Sequence, residues 1–153
     1  LPKHPPSFLS QDVPQNNEGW ENLMQKKGLC NRNLHTFIVT STTGVENICR
    51  HQGKYERNTR NLCRSTNKVT IYDLNKKDQT KCRYSVTEEM RYVALGCDWK
   101  GTNCFPVHYY ASYENGPGNN DEQCNKTNSI KPLKENIKFL VIFSLLNVLP
   151  IFL

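Results

Sequence analysis

The residues able to do chemistry in this 153-residue chain are four histidines, His4, His35, His51 and His108, and seven cysteines at positions 30, 49, 63, 82, 97, 104 and 124. Imidazole titrates near neutral pH, so a histidine held on a rigid element is a candidate proton donor or acceptor. His108 is the most informative of the four. It stands in the run Pro106, Val107, His108, Tyr109, Tyr110, Ala111, Ser112, just downstream of Cys97 and Cys104. The cysteines are spread through the polar body without the close CxxC pairs of a zinc ribbon, which points to disulfides and an oxidising compartment. Neither a metal nor a cofactor is expected.

The elements that must hold these groups read as one domain, large enough for a modest core and small enough to benefit from covalent staples. Pro2, Pro5, Pro6 and Pro14 make residues 1–17 an extended arm without a stable helix, expected to be flexible. Residues 18–27 lack a breaker after Gly19 and place Trp20, Leu23, Met24 and Lys27 near one helical face, with Gly28 as the stop. Residues 35–40 (HTFIVT), 68–73 (KVTIYD), 83–86 (RYSV) and 91–96 (RYVALG) are β-branched or aromatic runs separated by polar turns. Residues 45–50 suit one or two helical turns. Without long helical crossovers this is an α+β chain with antiparallel pairing.

Residues 18–113 form the expected domain, followed by a polar linker over 114–138 and an apolar tail over 139–153. The tail, interrupted by Asn147 and Pro150, is short for a span of about 20 residues. With its polar spacer it resembles a GPI-attachment signal; a tail anchor or an incidental extension are the alternatives. A start at Leu1 is what removal of a signal peptide would leave, so a secreted or surface-anchored chain is expected. Asn125 is the one standard N-glycosylation acceptor, in the sequence Asn125, Lys126, Thr127. The net charge of +6 is scattered rather than packed into a run, which favours salt-sensitive attraction to RNA, glycans or anionic membranes and specifies none of them.

Cys30, Cys49, Cys63, Cys82 and Cys97, the contexts Val45 to Cys49 and Cys82, Arg83, Tyr84, the triplet His35, Thr36, Phe37 and the triplet Pro106, Val107, His108 together resemble the pancreatic-type ribonuclease (ribonuclease A) family. The resemblance covers roughly residues 18–113. It implies an antiparallel twisted sheet with short helices, and pairing of Cys30 with Cys82 and of Cys49 with Cys97. Trp20 and Leu74 fall where a third bridge would lie, and together they fill that space by apolar contact. Glu56 takes the place of the usual partner of Cys63, so Cys63 is expected to bridge to Cys104, with Cys104 to Cys124 as the local competitor.

The family's chemistry is transphosphorylation of RNA, in which one histidine removes the 2′-hydroxyl proton, a second protonates the leaving oxygen, and a lysine stabilises the charge growing on phosphate. By this resemblance His108 matches the acid, and Tyr110 replaces the aspartate that orients it. The base should come from an N-terminal helix, where only His4 stands, beside Pro5 and Pro6; His35, at the place of a family asparagine, is the substitute candidate, ahead of His51. Asn31 stands where the lysine belongs, and Arg32 is the nearest cation. Thr36 and Phe37 match the pyrimidine-reading pair, Asp98 matches an acidic group near the second base, and Leu62 replaces an asparagine. The expectation is a ribonuclease A-like protein with an incomplete catalytic set and an extracellular binding role toward an unidentified protein partner, of a reproductive-tract or defence type. An active pyrimidine-preferring endoribonuclease and a cationic antimicrobial protein are the alternatives.

Overall fold

The computed structural model describes residues 6–10, 12–56, 59, 61–101 and 103–124. His4, Asn125 and the apolar tail lie outside the described residues. In chain order the elements are β1 (Ser7–Leu9), α1 (Asn17–Lys26), β2 (Leu34–Val39), α2 (Thr42–Ile48), β3 (Gly53–Tyr55), β4 (Leu62–Ser65), β5 (Val69–Lys76), β6 (Tyr84–Lys100) and β7 (Asn103–Tyr113). The expected α+β class holds. Among the described residues no helix is long and apolar enough to cross a membrane.

Both helices begin on a side-chain cap. Asn16 accepts from the Gly19 amide at 2.8 Å and Ser41 from the Gly44 amide at 3.0 Å, satisfying donors that a first helical turn leaves open. Past the C-terminus of α1, Gly28 turns the chain at φ +65°, a left-handed conformation that glycine adopts without a Cβ penalty. Trp20 and Met24 are the buried face of this helix.

The seven strands form one sheet in the order β1, β2, β5, β6, β4, β3, with β7 also paired to β6. The 17-residue β6 is the spine: its first half pairs with β5, from Val69 opposite Arg91 to Lys76 opposite Tyr84, and its second half lies between β4 and β7. Two cores result. Ile38, Val45, Ile48, Ile71, Val93 and Leu95 pack with the sulfurs of Cys49, Cys63, Cys97, Cys104 and Cys124. Leu9, Trp20, Met24, Phe37, Leu74 and Tyr84 fill the other, so Trp20 and Leu74 do share one apolar cluster.

Three points correct the sequence reading. The N-terminal arm joins the sheet, since β1 runs parallel to β2 with Ser7 opposite Phe37, and Leu9 is buried. Extended backbone, which the prolines favour, is also what strand pairing requires. Disulfides join Cys30 to Cys82 and Cys49 to Cys97 as the resemblance implies, but the third joins Cys63 to Cys124, leaving Cys104 as a buried free thiol. Cys63 could not meet Cys104: β4 and β7 flank β6 on opposite sides, with Cys63 opposite Leu95 and Cys104 opposite Trp99, beyond the roughly 7 Å between Cα atoms that a disulfide tolerates.

The first stretch of the expected linker is accordingly a strap on the body. The Tyr55 amide donates to the Glu122 carbonyl at 2.7 Å, the Cys124 amide to Gly53 at 2.8 Å, and Lys54 Nζ to the carbonyls of Gly118 and Asn119. These bonds satisfy the outer edge of β3, which would otherwise be open.

Candidate active site

His108 sits on β7 directly opposite Gly96 of β6, between two irregularities of the ladder. Ala94 faces Ala111 and Leu95 faces Tyr109, so Tyr110 is an extra residue; Gly96 faces His108 and Cys97 faces Pro106, so Val107 is another. Such bulges bend a strand and re-aim its side chains, and here they bracket the imidazole. His108 is half-buried, and its Nδ1 is enclosed with no hydrogen-bond partner among the described residues. Tyr110, at the position of the expected orienting carboxylate, is 55% exposed.

In the same sheet, alternation along β2 divides its residues between two faces. Thr36 donates its hydroxyl to Asp73 of β5 at 2.5 Å and also meets the Tyr109 hydroxyl. Burial, the largest cause, raises the Tyr109 phenol above its ordinary range, against the lowering effect of hydrogen bonds with Ser112 and Thr36. Thr36, Asp73, Tyr109 and Ser112 thus make one network that reaches from β2 to β7 and abuts His108 in the chain.

His35 and Phe37 face the α1 side. The His35 ring packs against Phe37 with centroids 4.7 Å apart, Phe37 in turn meets Trp20 at 5.6 Å, and His35 Nε2 shares a 2.9 Å hydrogen bond with the Ser7 hydroxyl. Both residues are buried. His35 is therefore a packed residue engaged by β1, on the face opposite the Thr36 network. Phe37, fully buried, supports that strand from below and touches no open surface.

The other expected site residues are dispersed. Arg32 lies in the turn before β2, where its carbonyl accepts from the Tyr84 hydroxyl at 2.9 Å and its Nη1 is enclosed without a partner among the described residues. Asn31, in the place of the lysine, is exposed. Asp98 is exposed opposite Phe105, close enough to Cys104 that its charge adds to burial in raising that thiol's pKa. His51 is exposed in a turn, and its carbonyl accepts from Gln123.

Sequence reasoning missed Asp73, Tyr109 and Gly96. Asp73 ends a β-branched and aromatic run, a signal that acquires meaning only when the β2 to β5 register sets it opposite Thr36. It also missed the replacement for the lost bridge at position 56: Glu56 pairs with Arg64 at 2.5 Å, and the Arg64 guanidinium lies 3.8 Å over the Tyr113 ring. Chemically, the site offers one imidazole and a hydroxyl network suited to reading a hydrogen-bonding ligand edge. No cluster of residues suited to hold a metal occurs among the described residues.

Comparison with curated proteins returned no match. Among solved structures the fold is similar to that of green turtle egg white ribonuclease, with a TM-score of 0.57 and 20% identity over 70% of this chain and 90% of that one. The family model described as pancreatic ribonuclease matches residues 7–110, from β1 through the strand that carries His108. A match over more than half of the sequence, on this sheet and these bridges, establishes that the chain belongs to the pancreatic ribonuclease family.

Proposed function

We propose that this chain is an extracellular ribonuclease A-like protein whose catalytic set is incomplete and whose role is binding rather than RNA turnover. The carrying observation is His108: its Nδ1 is enclosed without an acceptor while Tyr110 is turned to solvent. A general acid must be held in line with the departing oxygen, and neither an acceptor at Nδ1 among the described residues nor a carboxylate at position 110 orients this ring. The partners of His108 are absent from its network as well. His35 is buried and engaged with Ser7, and an exposed asparagine stands in the lysine's place. Loss of one preorganised donor to the transition state costs about two to three powers of ten in rate, and loss of a base adds to that.

Members of this family are typically secreted, and the three disulfides of this chain support the same compartment. RNA is the coarse partner class that the family suggests. Surface anchoring through the tail at 139–153 and a glycan on Asn125 complete the proposal and rest on sequence. One observation favours a second reading, an active pyrimidine-preferring nuclease: the Thr36, Asp73 and Tyr109 network is intact.

The test is cleavage of a pyrimidine-rich RNA by the oxidised full chain beside His108→Ala. Equal residual rates are expected. Turnover that disappears with the imidazole would overturn the proposal in favour of the second reading.

A further inference from the structure

The face of β5 and β6 that meets α1 carries a cleft of about 260 Å³, opening beside the start of the helix. The rings of Trp20 and Tyr72 meet at it, with centroids 4.8 Å apart. Trp20 stands where the family resemblance places a bridging cysteine, so this aromatic floor exists because that bridge is gone. Glu88 lies directly across the ladder from Tyr72, and its carboxylate accepts a hydrogen bond from the Tyr72 hydroxyl. Glu88 is exposed and in no ion pair among the described residues.

The cleft is a locally acidic place on a chain of net charge +6, since among the described residues Glu88 is its one charged lining group. Gln15 on the rim donates its amide to the Val13 carbonyl at 2.8 Å, which leaves its own carbonyl oxygen as an acceptor, and Asn17 adds another. The positive end of α1 lies close by, but Asn16 caps the Gly19 amide and Glu18 in the first turn offsets the dipole. The cleft is also distinct from the Thr36 network. Tyr72 precedes Asp73 on β5, so strand alternation sends the two to opposite faces of the sheet.

These groups select the ligand by exclusion. An anion would meet the Glu88 carboxylate, and Trp20, only 4% exposed, offers too little ring for a base to stack on. A single carboxylate is a poor cage for a divalent ion. An ammonium, in contrast, has three donors for three acceptors, and the faces of the two rings attract a cation. The volume lies below the roughly 300 Å³ at which sites for drug-sized ligands begin, so the occupant is no larger than a side chain.

We propose that this cleft binds a primary ammonium group on a short alkyl stem, the head held by Glu88, Gln15 and Asn17 and the stem laid against Pro14 and Val86. The same chemistry is presented by a free alkylamine and by a lysine side chain of another protein. The site is independent of whether RNA is cleaved.

Butylammonium and Nα-acetyl-lysine methylamide are the probes, each titrated against the ¹⁵N-labelled, oxidised full chain at low salt. The indole N–H signals of Trp20 and Trp99, told apart with Trp99→Phe, are the readout. Butylammonium should shift the Trp20 signal with a dissociation constant in the millimolar range and leave the Trp99 signal in place. Glu88→Gln should weaken binding about tenfold, whereas Glu89→Gln, the same charge loss at a carboxylate engaged by Arg91, should change it less than twofold. Butanol, with the stem but no charge, should bind at least about tenfold more weakly than butylammonium. Equal affinity for the lysine probe would assign the site to a lysine of a partner protein, and binding of butylammonium alone would assign it to a free amine. An unmoved Trp20 signal at about 100 mM ligand would overturn the proposal. Equal weakening by the two glutamate variants would reduce the effect to overall charge and overturn it as well, and so would butanol binding as tightly as the amine.

Discussion

Gly96 lies directly across the ladder from His108, and a Cβ built on it would stand 3.2 Å from His108 Cβ and 3.7 Å from Cδ2. The imidazole therefore rests on bare backbone, and its direction depends on a missing side chain as much as on the two bulges around it. Gly96→Ala should push the ring outward and destabilise the domain by about 1 to 3 kcal/mol through overpacking. Imidazole resonances in a ¹⁵N NMR spectrum and the denaturation midpoint report the two effects; an unshifted ring would mean that the bulges alone aim it.

The Thr36 to Asp73 hydrogen bond should be the main determinant of ligand-edge recognition. Asp73→Ala removes a charged acceptor from a half-buried pair, at an expected cost of about 1.5 to 3 kcal/mol in stability, and loosens both Thr36 and Tyr109. Titration with uridine and cytidine monophosphates should show weaker and less selective binding than the parent. Retained selectivity would remove Thr36 from the recognition role.

Alkaline titration offers a separate check. Tyr72, Tyr84, Tyr109 and Tyr113 are all raised above the ordinary tyrosine range, each chiefly by burial. A folded-state pKa above the unfolded one contributes stability that is present below the unfolded value of about 10 and is lost as pH climbs through the folded value. The stability of the domain should thus fall steeply above pH of about 10, with tyrosinate absorbance lagging behind a tyrosine peptide. Tyr109→Phe should remove part of that lag.

The Cys63 to Cys124 bridge can be read by peptide mapping under non-reducing conditions, which should recover that pair and a free Cys104. Closing a loop of 61 residues is worth about 4 kcal/mol in the chain-entropy picture, so Cys124→Ser should lower stability by an amount of that order. Cys104→Ser leaves every bridge intact and should cost about 1 to 3 kcal/mol for a buried hydroxyl. A recovered Cys63 to Cys104 peptide would sink the assignment.

The legible parts of this protein were those carried by local pattern or by motif. The α1 face, the strand runs and the bridges Cys30 to Cys82 and Cys49 to Cys97 could be read from residue order and family resemblance. Three features could not. The strand Ser7–Leu9 is too short to show an alternating pattern and is masked by the prolines that flank it, Pro5, Pro6 and Pro14. The choice between Cys104 and Cys124 depends on which side of β6 each neighbour occupies, a matter of topology that spacing does not encode. For His35, the neighbouring motif suggested chemistry, whereas its place on the α1 side of β2, against Phe37 and Ser7, makes it part of a core. The proposed incompleteness of the catalytic set rests on substitutions at motif positions, which are visible one residue at a time.

The strap that ends at Cys124 also sets how this molecule carries mechanical load. Tension applied to the chain beyond residue 124 would not peel β7 from the sheet edge, because the Cys63 to Cys124 bond diverts the pull to β4, whose ladder to β6 must then shear. Whatever is attached downstream, the strand that holds His108 stays outside the line of force.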